Sequence, residues 1–207
     1  MSLLTNYAPV PSRVLGVFHY LWACKSCTRD HLESVLSPQN LRSEQGAGGM
    51  IHSTVTECLK LGLVVEHEEQ LSLDERVRQR WKRKEPTPNE IRRVLFELIC
   101  DVDQPENHDT ARLLAWLMAQ DVSQFTGTQT SIESALRHQV GDQRLGLAND
   151  VAFGNFRFWA TYLGFAWKQD SPPRLLPDPT THLFLLLPDI FENIGVSLSV
   201  AEVHGRL

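Results

Sequence analysis

The residues of this chain that could do chemistry fall in three places. The first is Arg76 to Lys84, "RVRQRWKRK", which holds six cations and no carboxylate. Such a run suits a phosphate backbone or an acidic protein surface, since neutralised phosphates supply most sequence-independent affinity. If helix runs through it, Arg76, Arg80, Arg83 and Lys84 share one side, with Arg78 and Lys82 flanking. Trp81 would then offer a stacking surface, and Arg92 and Arg93 follow one short turn later. The competing reading is a solvated linker that offsets acidic segments on either side.

The second place is "CKSC", Cys24 to Cys27, which has metal-ligand spacing. No second Cys-x-x-Cys or His pair answers it, and His19, His31, His52 and Cys58 could meet it only through folding. The expectation is a helix-end pair of reduced cysteines, with no metal and no cofactor. The third place gathers Asn149, Asn155, Arg157, Lys168 and Arg174. Asn and Arg can read adenine and guanine edges, though such residues are also ordinary on a surface helix. No P-loop, dinucleotide fingerprint, nucleophile elbow or zinc-protease motif occurs, and the carboxylates are scattered. The chain is therefore expected not to be an enzyme.

Composition sets the frame for these groups. The chain has 207 residues, 42% of them apolar and 22% charged, as in an ordinary globular protein. No apolar run reaches membrane-spanning length, the N-terminus does not read as a signal peptide, and four cysteines make no disulfide framework. A reducing cytoplasm is the expected setting. Charge is uneven: net −4 over residues 1–75, +6 over 76–84 and −7 over 85–207.

The elements that must carry these groups read as a repeat. Ser12 can cap a helix with apolar Val14, Leu15, Phe18, Leu21 and Trp22. Thr28 caps a short helix stopped by Ser37-Pro38. A third helix buries Ile51, Thr54, Val55, Cys58 and Leu59 and stops at Gly62. "LVVEHEEQLSL" follows as a hairpin, so three helices and a wing fill residues 10–75. A shift of 102 residues carries Leu61-Gly62-Leu63 onto Leu163-Gly164-Phe165 and Thr28 onto Thr130, whose Glu133 suggests a capping box. On this reading His108 to Gln120, with Asn107 as cap, is the second unit's first helix. Asp150 to Leu163 is its third helix, and "FAWKQDSPPRLLPD" is its hairpin.

The expected fold is thus mainly α with short β-hairpin wings: two winged-helix units joined by a bracing helix. The predicted divisions are residues 10–75, a basic segment and brace at 76–104, the second unit at 105–180, and an apolar helical tail at 181–207. Thr87-Pro88-Asn89-Glu90 should cap the brace, burying Ile91, Val94, Leu95 and Leu98. The tail should hold a helix broken before Pro188 and a further short helix. In the first unit the exposed face of the third helix offers His52, Ser53, Thr56, Glu57 and Lys60. The wing tip, Glu66-His67-Glu68-Glu69, would repel phosphates, which favours a solvated or protein-facing wing.

"PSRVLGVFHYLW", "LKLGLV", "ENHDTARLLAWLMAQD", "RFWATYLGF" and "LPDPT" together resemble the DpdG-type proteins. The resemblance implies a bacterial defence accessory from clusters that insert 7-deazapurines into DNA and restrict foreign DNA; it carries no assigned activity and no site residues. The architecture is also similar to the paired winged-helix partners of SMC–kleisin complexes. The expectation is a non-enzymatic accessory subunit that meets partner proteins and a DNA or RNA backbone, without a membrane, with a homodimer as one arrangement. The alternatives are a stand-alone regulator reading DNA through the second unit's third helix, and an enzyme subunit whose site a partner completes.

Overall fold

The computed structural model describes residues 3–4, 9–38, 47–81, 84–101, 103, 108–140, 147, 150–191 and 197–206. The first unit comprises α1 (Pro11–Cys24), β1 (Ser26–Thr28), α2 (Arg29–Leu36), α3 (Ala47–Lys60), β2 (Val64–His67) and β3 (Gln70–Leu73). Pro11, not Ser12, starts α1: its fixed φ suits the first helical position, and Ser12 lies exposed inside the helix. Thr28 caps α2 as expected, accepting from the His31 N–H at 3.3 Å. The strand β1 has only three residues, too few to show a period of two, and its signal is absent from the sequence pattern. It pairs antiparallel with β3 in the order β1-β3-β2, with Cys27 opposite Leu71.

The turn that ends α3 is written twice. Gly62 takes φ 68°, its N–H bonds the Leu59 carbonyl at 3.1 Å, and the Leu63 N–H bonds the Cys58 carbonyl at 3.0 Å. At the end of α8 (Asp150–Leu163), Gly164 takes φ 84°, with bonds to Thr161 at 3.1 Å and from Phe165 to Ala160 at 2.9 Å. Both are Schellman turns, which need a residue able to enter the left-handed region. A hairpin follows each, the second formed by β4 (Ala166–Asp170) and β5 (Pro173–Pro177).

The repeat extends one step beyond the hairpins. The Asp74 N–H closes the first on the Leu63 carbonyl at 3.0 Å, and the Asp178 N–H closes the second on Phe165 at 2.9 Å. Each aspartate then turns its carboxylate to the next helix, α4 (Glu75–Gln79) or α9 (Thr180–Ile190), bonding the N–H of Arg76 at 2.8 Å or of Thr180 at 3.0 Å. These bonds satisfy donors that a helix start leaves open.

The second unit adds α6 (His108–Met118) and α7 (Gln129–Val140). Thr128, not Thr130, caps α7, accepting from the Ser131 N–H at 3.3 Å, while Glu133 takes the Gln129 side chain at 3.0 Å. The cause lies one residue earlier. The Gly127 carbonyl accepts the Leu175 N–H at 2.8 Å, occupying the place that β1 fills in the first unit. The chain leaves the sheet edge there, so the helix starts at once. The Asn107 cap lies outside the described residues.

Between the units runs α5 (Pro88–Ile99), opened by the expected capping box of Thr87 and Glu90. It buries Ile91, Val94, Leu95 and Ile99, while Leu98 is half-buried. Both α1 and α5 pack on α8, and Phe18, Leu21, Val55 and Leu71 belong to one continuous core with Leu113, Ile132, Phe156 and Leu163. The tail helix α9 is not broken before Pro188: it continues to Ile190, because a proline in the last turn removes only one backbone donor. A short helix, α10 (Val200–Arg206), follows. The fold is mainly helical with two small antiparallel sheets, as the sequence pattern predicts.

Candidate nucleic-acid and partner interface

The basic segment folds back rather than standing out as one long helix. Its helix, α4, has five residues, and Val77 and Trp81 turn inward, Trp81 onto α1. Trp81 is 9% exposed, edge-on to Phe18 and Trp22 with ring centroids 5.9 Å away in both cases. This corrects the expected stacking surface: an indole four residues from Val77 shares its buried face.

Most of the segment's described cations are engaged locally. Arg76 grips the Asp74 carboxylate with two nitrogens, at 3.1 and 3.2 Å. Burial pushes the Asp74 carboxyl up, but hydrogen bonds from the Arg76 guanidinium and N–H outweigh it and hold the group below its ordinary range. Arg78 lies 5.7 Å from the Trp22 ring centroid and donates to the Lys25 carbonyl at 3.5 Å. Arg80 pairs with Glu97 of α5. Lys84 is exposed, and Lys82 and Arg83 lie outside the described residues. The guanidinium of Arg76 remains largely in solvent, its side chain 75% exposed, so it can still meet an anion.

Of the second candidate set, burial withdraws Asn155 from the surface. Asn155 is 5% exposed, on a side of α8 that is packed, whereas Phe158 is 49% exposed and nothing lies within 4 Å of a Cβ placed on Gly154. On the same side Trp159 is buried and its indole N–H donates to the Pro9 carbonyl at 2.6 Å, while Tyr162 carries Arg92 of α5 at 5.1 Å from its ring centroid. Arg157 donates to the Gln169 carbonyl at 2.7 Å and to Asp170 at 3.1 Å, fastening the second hairpin to α8. Lys168 lies 3.7 Å from Asp170 and 5.3 Å from the Phe158 ring centroid. Arg174 is half-buried, and Asn149 lies outside the described residues.

On the first unit's outer face His52 is exposed and Ser53, Thr56 and Lys60 are half-buried, but Glu57, expected in the open, is buried, and polar side-chain bonds crosslink the face. His52 bonds Glu33 at 2.9 Å, Lys60 bonds Glu57 at 2.7 Å, and Arg29 spans Thr56 at 3.5 Å and Glu66 at 3.0 Å. Arg29 thus ties α2, α3 and the first hairpin together, a role no sequence motif announces. Beyond it the hairpin turns through Glu68 at φ 49° and Glu69 at φ 63°, both exposed. Two adjacent carboxylates hold a left-handed turn that ordinarily selects Asn-Gly. This edge is acidic and turned outward.

Cys24 is exposed and Cys27 buried. Among the described residues, no group of three or more His, Cys, Asp or Glu could hold a metal ion. No helix among them is long and apolar enough to cross a membrane.

A family model described as DpdG-like matches residues 1–207. The chain belongs to the DpdG-like family. Neither a curated protein nor a solved structure matches it. The aspartates that close both hairpins of this DpdG-like chain carry one visible signal: each stands directly after the second apolar run. In α8 the helical spacing marks Ala152, Phe156, Trp159, Ala160 and Leu163 as one apolar face, and all five are buried, but nothing in that spacing shows that the polar Asn155 is buried with them.

Proposed function

We propose that this DpdG-like chain is a non-enzymatic, tandem winged-helix accessory subunit of a bacterial 7-deazapurine DNA-modification and restriction system. Family membership supports a role within that gene cluster. The first unit would dock a partner protein through its acidic wing, and Arg76, Arg78 and Lys84 would meet a nucleic-acid backbone. One observation carries the reading: the side of α8 that holds Asn155, Trp159 and Tyr162 packs on Pro9 and α5, so Asn155 is not free to read a base. A unit folded this way works as a protein-packing module, since base readout through Asn155 needs that side free. The acidic first wing points the same way, because carboxylates repel phosphates.

The test has two arms. Co-purification of the chain with the other proteins encoded beside it should give a stable complex that weakens when Glu66, Glu68 and Glu69 are changed to Gln. Fluorescence anisotropy on duplex DNA across salt should show weak, sequence-independent binding that is nearly abolished when the six cations of residues 76–84 become Gln. Tight binding of the isolated chain to one sequence, surviving that change, would make it a stand-alone regulator instead.

A further inference from the structure

The turn Cys24-Lys25-Ser26-Cys27 joins the end of α1 to β1. Lys25 reverses the chain with φ 70°, and its N–H bonds back to the Leu21 carbonyl at 3.0 Å. The turn sets the exposed Cys24 and the buried Cys27 within hydrogen-bonding reach of each other. Tyr20, one helical turn earlier, is close to both, and the His31 ring centroid lies 6.1 Å from that of Tyr20. Thiol–disulfide exchange needs an accessible entry thiol and a second thiol within reach to resolve the mixed disulfide. This turn supplies both.

We propose that Cys24 and Cys27 form a reversible intramolecular disulfide, a redox site on the first unit reached by low-molecular-weight disulfides. With oxidised glutathione, the Cys24 thiolate attacks one sulfur, the glutathione S–S bond breaks, and one glutathione thiolate leaves and takes a proton from solvent. Cys27 then yields its proton to solvent and attacks the Cys24 sulfur, releasing the second glutathione thiolate. Two protein thiols lose two electrons, and one glutathione disulfide becomes two thiols.

The surroundings set the character of this site. Burial and the neighbouring Cys24 push the Cys27 thiol up to about 11, so the resolving step should accelerate as pH rises. This destabilises the ionised form of Cys27, so the disulfide once formed resists reduction better than that of a catalytic oxidant. The ring it closes contains the Lys25 carbonyl that accepts Arg78. Oxidation therefore acts on a cation of the basic segment. Cys58 is buried, and burial pushes its thiol up to about 12; the half-buried Cys100 is pushed up to about 11 by the same cause.

The test uses the native full chain, treated with oxidised glutathione and followed by intact mass and non-reducing peptide mapping. The expected product has lost two hydrogens, mapped to residues 24–27, and maleimide labelling of Cys24 falls to background until dithiothreitol restores it. Cys27→Ser and Cys27→Ala should both stop at a glutathione adduct on Cys24. If the native chain accumulates that adduct without closing the ring, the proposal is overturned. It is overturned equally if glutathione leaves Cys24 unmodified while maleimide labels it freely.

Discussion

The Trp159 indole N–H donates to the Pro9 carbonyl at 2.6 Å, a buried bond between residues 150 positions apart. It fixes the third helix of the second unit to the segment that enters the first helix of the first unit. The donor is a side chain and the acceptor a backbone group, both out of reach of water, so losing one partner leaves the other unpaired. Trp159→Phe keeps an aromatic ring and removes the donor. The chain should lose about 1–3 kcal/mol of stability. Urea unfolding followed by circular dichroism should show a lower midpoint with unchanged slope, still as one transition. Two transitions in the unaltered chain would contradict the continuous core.

The Glu68-Glu69 turn should be improvable. Each non-glycine residue held in the left-handed region is strained by roughly 1–2 kcal/mol, and here two like charges are adjacent. Glu68→Asn with Glu69→Gly supplies the residues that turn prefers and should raise stability by about 1–2 kcal/mol. The same change removes two carboxylates from the tip. A stabilised protein that binds its partner less well would show that the strained turn serves recognition; equal or tighter binding would remove the wing from the interface.

Gly164→Ala should be strongly destabilising. Its φ of 84° disfavours any side chain, and an added Cβ would sit 2.7 Å from the His182 backbone nitrogen. That nitrogen bonds the Gly164 carbonyl at 3.1 Å, so neither group can withdraw without breaking the start of α9. The expected loss is more than about 2 kcal/mol, above the ordinary Gly-to-Ala penalty at positive φ. Thermal unfolding decides it, and a midpoint within a degree or so of the parent would show that α9 shifts freely.

The Leu-Gly pairs are legible in the sequence because a Schellman turn needs glycine and an apolar residue after it, which constrains identity at both positions. The aspartate caps are half-legible, since "LDE" and "PDPT" hold the right residue without showing that both perform one task. Thr130 has the spacing of a capping box, yet a sheet bond to Gly127 sets the helix start instead. Trp81 and Asn155 share a different difficulty. Both residues are polar or amphipathic, and their burial depends on which element lies opposite, a long-range fact that local spacing does not encode. Neutralisation of Arg76 by Asp74 is readable two residues away, but that of Arg80 by Glu97 needs the brace in place.

His182 should make stability depend on pH. It is buried, stacked on Phe165 with ring centroids 4.0 Å apart and edge-on to Phe96 at 4.5 Å, and its Nδ1 lies 3.0 Å from the Leu163 carbonyl. Burial lowers its affinity for a proton, the Leu163 carbonyl opposes this, and the Arg92 charge adds to the lowering, so the net value falls below the ordinary 6.5. As pH falls through about 6.5, the unfolded chain takes up a proton before the folded one does. Stability is therefore retained above that pH and lost below it, until the folded state protonates as well. His182→Leu removes the titration along with the Leu163 bond: it should be less stable near neutrality yet lose less between about pH 7 and about pH 5 than the parent. Urea midpoints at several pH values measure the difference. Parallel acid losses in parent and variant would show that His182 does not set the pH dependence.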